Sequence, residues 1–435
     1  MHSSTHEAIS AVWRIESAKI VASVARLVRE IGLAEELAQD ALVAALESWP
    51  GKGVPDNPGA WLMRVAKNRA LDHLRHRKMQ GEKLAQIGHE LEAQEALVVP
   101  DFVDALDEAR QDEIGDDLLR LMFTACHPVL STEARLALTL KLLGGLTTHE
   151  IARAFLVPEP TMAQRIVRAK RTLAEARVPF EVPRGDELGA RLASVLEVVY
   201  LLFNEGYTAT AGDHWMRPAL TDEALRLGRM LAGLATDESE VQGLLALMEL
   251  QASRMAARVD AAGRPILLAD QNRARWDHLL IRRGLAALDM ALALAESSAR
   301  ALGPYALQAA IAACHARAPT SAETDWVRIA ALYDALAQTA PSPVVELNRA
   351  VAVSMAFGPA AGLAIIDVLR GDKALQNYQW LPSVRGDLLA RLGRNDEARH
   401  EFERAAALAG NLRERELLLE RAHQLDGSCS PGAAG

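Results

Sequence analysis

The stretch Thr147-Thr148-His149-Glu150-Ile151-Ala152-Arg153-Ala154-Phe155-Leu156-Val157-Pro158-Glu159-Pro160-Thr161-Met162-Ala163-Gln164-Arg165-Ile166-Val167-Arg168-Ala169-Lys170-Arg171 decides the fold. Thr147 and Glu150 make a Thr-x-x-Glu capping box that opens a short helix. Ala152 is small enough for a close helix crossing, and Phe155 to Pro158 end the helix. Pro160 suits the first turn of the next helix. That second helix carries Met162, Ile166, Ala169 and Leu173 at steps of three and four, an apolar stripe for packing. Another face holds Thr161, Gln164, Arg165, Arg168 and Arg171, with Lys170 beside it. This is a helix-turn-helix pattern whose basic face suits a major groove, where arginine can bond a guanine bidentately.

Outward from this motif, the composition agrees with an all-α chain. Half of the 435 residues are apolar and only 4% are aromatic, and Ala and Leu, which dominate, favour helices over strands. The net charge of −9 argues against nucleic acid until its distribution is considered. Residues 60–80 hold six Lys/Arg against one Asp, and residues 131–179 hold eight against four Glu. Between them, residues 81–120 hold twelve Asp/Glu against three Lys/Arg. Two basic segments are therefore joined by an acidic one, and DNA responds to local patches rather than to the average.

The first basic segment runs Trp61 to Lys78, with Arg64, Lys67, Arg75 and Lys78 on one side and Trp61, Val65 and Asn68 on a neighbouring strip. The Gly/Pro-rich run 50–59, which includes Asn57, precedes it and reads as a loop. Upstream, residues 10–49 read as two helices parted near Gly32. The second has an acidic outer face of Glu35, Glu36, Gln39, Asp40 and Glu47.

Together these three segments resemble the sigma-70 family, in its small extracytoplasmic-function (ECF) type, over about residues 10–178. The resemblance implies a transcription initiation factor that is not an enzyme and needs no cofactor or metal. Its partners are core RNA polymerase and promoter DNA. It implies that Glu35, Glu36, Gln39, Asp40 and Glu47 dock on the polymerase. Asn57, Trp61, Arg64, Lys67, Asn68 and Arg75 would read and open the −10 element, and Thr161, Gln164, Arg165, Arg168, Lys170 and Arg171 the −35 element. Two positions depart from the family pattern: Leu156 stands where Gly is usual before Val-Pro, and Pro160 replaces the Gly of Pro-Glu-Gly-Thr. Both bear on how the reading helix is angled.

The expected organisation is region 2 over 1–80, an acidic linker over 81–115, region 4 over 116–180, a helical extension over 181–426 and a Gly/Ser/Pro tail over 427–435. The extension hints at tetratricopeptide-like repeats. Gly362, Ile366 and Leu369 recur 36 positions later as Ala398, Phe402 and Ala405, and Gly386, Leu389 and Gly393 complete a unit over 379–412. Two groups mix charge with an aromatic ring as a binding groove does: Asn204, Glu205 and Tyr207, and Asp270, Arg273, Trp276 and Asp277. The bland alternative is a helix C-cap at Gly206 and a buried Trp276 clamped by local salt bridges. The extension is expected to be regulatory, through its own contacts or through a regulatory protein.

Cys126, Cys314 and Cys429 are too scattered for a disulfide framework or a zinc site. The most apolar run, 192–203, is too short to span a bilayer and contains Glu197, so no membrane role and a cytoplasmic location are expected. A stand-alone helix-turn-helix regulator would not need the acidic linker or the acidic second helix. A peptide-binding scaffold would leave the basic faces without a role.

Overall fold

The computed structural model describes residues 2–86, 109–208, 216–260 and 263–426, and among them it is all α-helical, with one isolated β-bridge between Val259 and Pro265. None of these helices is long and apolar enough to cross a membrane. The chain divides into two compact units, 1–198 and 199–435.

The first unit contains α1 (His2–Val28), α2 (Ile31–Lys52), α3 (Pro58–Gln86), α4 (Ala109–Ala125), α5 (Thr132–Leu142), α6 (Thr148–Ala154), α7 (Glu159–Glu175) and the first part of α8 (Asp186–Tyr207). α1 is the central element and packs on α2, α3 and α4. Its Ile20, Ala22, Val24 and Ala25 are fully buried, with Leu62 and Ala66 of α3 and Leu121 of α4 also in the core. The small residues Ala34, Ala38, Ala41 and Ala45 form the buried stripe of α2, which lets helix axes approach closely. Met162, Ile166, Ala169 and Leu173 are the buried face of α7, as the periodicity predicts.

Several local expectations need correction. The break between α1 and α2 falls at Arg29 and Glu30, not at Gly32. Arg29 takes the left-handed conformation (φ +56°) that ends α1, and Gly32 sits inside the first turn of α2. Helix α2 continues through Pro50 to Lys52, so only 53–57 are loop. A proline in the last turn removes a single ladder bond, and the turn still closes by Gly53 N–H donating to the Trp49 carbonyl at 2.9 Å. The ends of the expected linker are helical, in α3 and α4, while residues 87–108 lie outside the described residues. The Gly/Ser/Pro tail and Cys429 lie outside them as well.

The unit division falls within α8 rather than at residue 181, and the reason is polar. Ser194 Oγ donates to the Cys126 carbonyl at 2.6 Å, and Arg191 donates to the Phe123 carbonyl at 2.9 Å. Buried Arg135 of α5 reaches Ser194 and Glu197. The head of α8 thereby satisfies the carbonyls at the end of α4, which a helix cannot satisfy internally. Cys126 lies beneath this contact, and burial pushes its thiol up to about 11, so it stays protonated.

The second unit continues with α9 (Pro218–Leu234), α10 (Ser239–Ala252), α11 (His278–Ser297), α12 (Pro304–Arg317), α13 (Trp326–Thr339), α14 (Pro343–Phe357), α15 (Pro359–Leu369), α16 (Trp380–Arg391), α17 (Asn395–Leu408) and α18 (Leu412–Asp426). Proline in the first turn starts α9, α12, α14 and α15, where its missing N–H costs nothing. The principal contacts join helices one or two places apart in the chain. Successive helical hairpins stacked in this way are the geometry of a helical-repeat array. The 36-residue echo maps onto equivalent helices: Gly362 and Ile366 on α15, Ala398 and Phe402 on α17. Gly386 lets α16 and α17 meet closely, since a Cβ there would lie 3.0 Å from the Phe402 ring and 3.1 Å from the Ala398 carbonyl.

Candidate nucleic-acid interface

Three helices of the first unit present polar faces, each held differently. On α7 the helix-turn-helix forms as its sequence dictates. Thr147 N–H donates to Glu150 Oε2 at 2.8 Å, and Glu150 N–H donates to Thr147 Oγ1 at 3.1 Å, closing the capping box. The Thr147 backbone N–H first, and then its hydroxyl, which donates to Glu150 Oε2 at 2.9 Å, hold the Glu150 carboxyl below its ordinary range. Leu156, at the position where glycine is usual, takes φ +52° and is 55% exposed. Val157 N–H then donates to the Ala152 carbonyl at 3.0 Å and completes the turn. The turn therefore keeps its glycine-type geometry at the cost of strain in a leucine.

A groove of about 360 Å³ runs between α7 and the α4–α5 turn, lined by Thr161, Gln164, Arg165 and Arg168 together with Ser131 and Thr172. Four of the six residues expected on the −35 face are thus brought together. The other two are engaged elsewhere: Arg171 pairs with Glu175 at 2.6 Å, and Lys170 donates to Glu35 at 2.8 Å.

On α3, Trp61, Arg64, Asn68 and Arg75 fall on one strip, and the last three are exposed. Trp61 packs edge-on against the buried Trp49, ring centres 5.4 Å apart, which fixes the base of the strip. Asn57 is the N-cap of α3, its Oδ1 accepting from the Ala60 N–H at 3.0 Å. Lys67 is half-buried on a neighbouring face, and Arg75 pairs with Asp72 at 3.2 Å.

On α2, Glu36, Gln39 and Glu47 are exposed and Asp40 pairs with Arg69 of α3 at 2.8 Å. Glu35 differs. It is buried, accepts from Gln39 at 2.8 Å and from Lys170, and lies 3.7 Å from Lys141. In this arrangement it holds α7 against α2 and offers nothing to a partner. Exposed Val43 and Leu46 lie among the acidic residues. An amphipathic pattern assigns apolar residues to the inner face, so nothing in the sequence singles these two out as exposed. Where α1, α3, α4 and α7 meet, Arg26, Arg29, Arg77, Arg120, Lys170 and Arg177 line a cleft of about 740 Å³. The same cleft holds Glu30 and Glu181, and Arg26 and Arg120 pair with Asp117 and Lys170 with Glu35, so much of its positive charge is neutralised within the fold.

The two groups expected to form a groove in the second unit separate. Tyr207 and Asn204 line a cavity. Glu205 pairs with Arg217, and Gly206 is no C-cap: it sits inside α8, where a Cβ would come within 2.4 Å of the Thr221 nitrogen. Trp276 is buried, as the bland reading has it, but its clamp is cation–π contact from Arg273, 4.8 Å from the ring centre, and from Arg254 at 5.9 Å. Arg273 also donates to the carbonyls of His315 and Ala318, and Asp277 caps α11. Asp270 is exposed in a 3₁₀ turn.

Comparison with known proteins matches these units in order. Sigma-70 region 2 matches residues 16–79, and Sigma-70 region 4 matches residues 120–173. A family of unknown function, DUF6596, matches residues 191–292. An uncharacterized protein of Rhizobium meliloti (strain 1021), R00370, is 45% identical over 389 residues, 89% of each chain. The probable ECF RNA polymerase sigma factor SigI of Mycobacterium tuberculosis is 29% identical over 181 residues, 41% of this chain and 59% of that one. Yeast Tom70 superposes with a TM-score of 0.32 and 13% identity, over 95% of this chain and 83% of that chain.

Proposed function

The chain belongs to the sigma-70 family, in its extracytoplasmic-function type with a long helical extension, and from that premise we propose that it directs core RNA polymerase to specific promoters. The observation that carries this reading is the set of polar faces on α2, α3 and α7, which fall within the matched regions 2 and 4.

The outer face of α2 docks on the polymerase, with Glu36 and Glu47 giving charge, Gln39 a polar amide, and Val43 and Leu46 apolar contact; Asp40 contributes after release from Arg69. Arg165 and Arg168, with Thr161 and Gln164, read the −35 element from the groove beside α7. Trp61, Arg64, Asn68 and Arg75, with Lys67 flanking, contact the −10 element, and Asn57 shapes the loop that receives an unstacked base. Extruding a base costs a few kcal/mol, which a pocket beside an aromatic ring offsets. Each basic segment alone carries a small positive excess, so each binds DNA weakly and with strong salt dependence. Mounting both on one polymerase makes the second contact intramolecular. The factor acts in the cytoplasm, where the polymerase is, and contributes no chemistry of its own. The extension is regulatory, by its own contacts or through a protein partner.

Run-off transcription with purified core polymerase tests the reading. Promoter-specific transcripts that need both core and this protein, with weak binding of the free protein to DNA, are expected. Tight specific DNA binding without any gain in initiation would replace the reading with that of a stand-alone regulator.

A further inference from the structure

The whole chain contains five tyrosines. Three of them, Tyr200, Tyr207 and Tyr333, line one cavity of about 170 Å³ in the second unit, formed by α8, α10, α12 and α13. A fourth, Tyr305, packs edge-on against Tyr200 with ring centres 5.4 Å apart. In a chain with 4% aromatic residues, this concentration is a built feature rather than ordinary core.

The polar groups on the wall are side-chain amides: Asn204, Gln251 and Gln308. Among the described residues no carboxylate, lysine or arginine lines it, although Arg254 and Arg258 contact the lining Tyr207 from outside the cavity wall. Gln308 is fixed, donating to the Pro304 carbonyl at 3.1 Å and accepting from the Tyr200 hydroxyl at 3.2 Å. The carbonyl of Gln251 accepts from Arg254, which also donates to the Tyr207 hydroxyl at 2.8 Å. These bonds set the amides and rings in place before anything binds. Among the described residues the Asn204 amide, the Gln251 NH₂ and the Tyr333 hydroxyl have no hydrogen-bond partner, and the Tyr207 hydroxyl, which accepts from Arg254, keeps its own proton to donate. Burial raises the Tyr333 hydroxyl to about 12, so it remains a donor throughout the physiological range. Partly buried polar groups without partners, converging on one space, are the mark of a recognition site.

We propose that this cavity binds a small, uncharged, planar ring bearing a carboxamide or lactam edge. A neutral wall excludes ions, because a charge taken from water without a counter-charge is costly. The Tyr207 ring is already stacked on Phe203 and covered by the Arg258 guanidinium, so the aromatic surface that favours a flat occupant is that of Tyr200 and Tyr333. A side-chain amide pairs with an adjacent donor and acceptor, as Asn and Gln do on a base edge. The volume, about that of six waters, restricts the occupant to a single ring. This site lies outside the polymerase- and DNA-facing helices, and its existence does not depend on the promoter reading.

The test uses the full-length protein with nicotinamide, benzamide and uracil as probes, and toluene and nicotinate as apolar and charged controls. Binding is followed by saturation-transfer NMR, with helix content and melting recorded for every variant. Saturable binding of at least one amide ring is expected, with toluene and nicotinate about tenfold weaker or worse. Asn204→Leu and Tyr333→Phe should each weaken it by about five- to tenfold while the fold is retained. The proposal is overturned if none of the three amide rings saturates, if the controls bind equally well, or if both folded variants bind undiminished. A positive result with no effect on run-off transcription would keep the site and leave the promoter reading standing separately.

Discussion

Arginines at chosen sites of the two units do opposite work. In the first, Arg64 and Arg168 stand exposed on helix faces, and Arg165 borders an open groove. In the second, several arginines turn inward, although others such as Arg282, Arg283 and Arg328 stay exposed. Arg258 donates to the Tyr207 carbonyl and the Thr208 hydroxyl, Arg273 to the carbonyls of His315 and Ala318, and Arg385 lies between Asp367 and Glu401 at 2.9 and 2.8 Å. Buried Glu249 is held by Arg229 at 2.8 Å. The first unit has engaged arginines as well: Arg135 is buried and pins α8 to α5, Arg191 donates to the Phe123 carbonyl, and Arg120 pairs with the buried Asp117. A basic residue therefore signals nucleic acid only when its guanidinium is not already engaged within the fold.

The contrast can be broken most directly at Arg385. Arg385→Ala leaves the buried Glu401 carboxylate without its main partner and should destabilise the second unit by about 3 kcal/mol, visible in urea unfolding. Arg168→Ala should behave in the opposite manner. Promoter affinity of the assembled polymerase should fall by about 2 kcal/mol, whereas urea stability should move by no more than about 0.5 kcal/mol. If Arg168→Ala unfolds the protein instead, the division of labour between the units fails.

Two smaller effects sharpen the picture around the helix-turn-helix. Leu156→Gly relieves a left-handed leucine whose side chain is largely in solvent, and should raise stability by about 1 kcal/mol in chemical denaturation. The smallest effect is a pH dependence. The Glu150 carboxyl is held below its ordinary value of 4.5 in the folded chain, so the unfolded state binds the proton more readily. Its contribution is present above that value and is lost as pH falls through the lower folded value. The melting difference between the native protein and Glu150→Gln should therefore be constant near neutrality and shrink below pH 4.5. A difference that grows on acidification would contradict the capping geometry.

What could be read in advance follows from how local each feature is. The buried stripe of α7, the capping box and the hairpin echo are set by spacing within a few turns, and the sequence displays them. The break at Arg29 was hidden because a left-handed C-cap is usually glycine, and here an arginine occupies it. Pro50 misled because a helix tolerates proline in its final turn when only one bond is lost. The pairing of Glu35 with Lys170 joins residues 135 positions apart, and nothing local to either announces it. The tyrosine and amide cavity was equally hidden, since α8, α10, α12 and α13 contribute one or a few residues each and only Asn204 and Tyr207 lay in a conspicuous cluster.

The stacking of hairpins in the second unit has an evolutionary corollary. When helices bind chiefly to near neighbours in the chain, the interface between one pair and the next resembles a standard fitting. A hairpin of about 36 residues can be duplicated or deleted and the ends rejoined with little disturbance to distant parts. Length then becomes a quantity that varies in whole steps. Relatives of this chain should differ in the extension by integral hairpins, while the first unit, whose α2, α3 and α4 pack around α1, keeps a fixed number of helices.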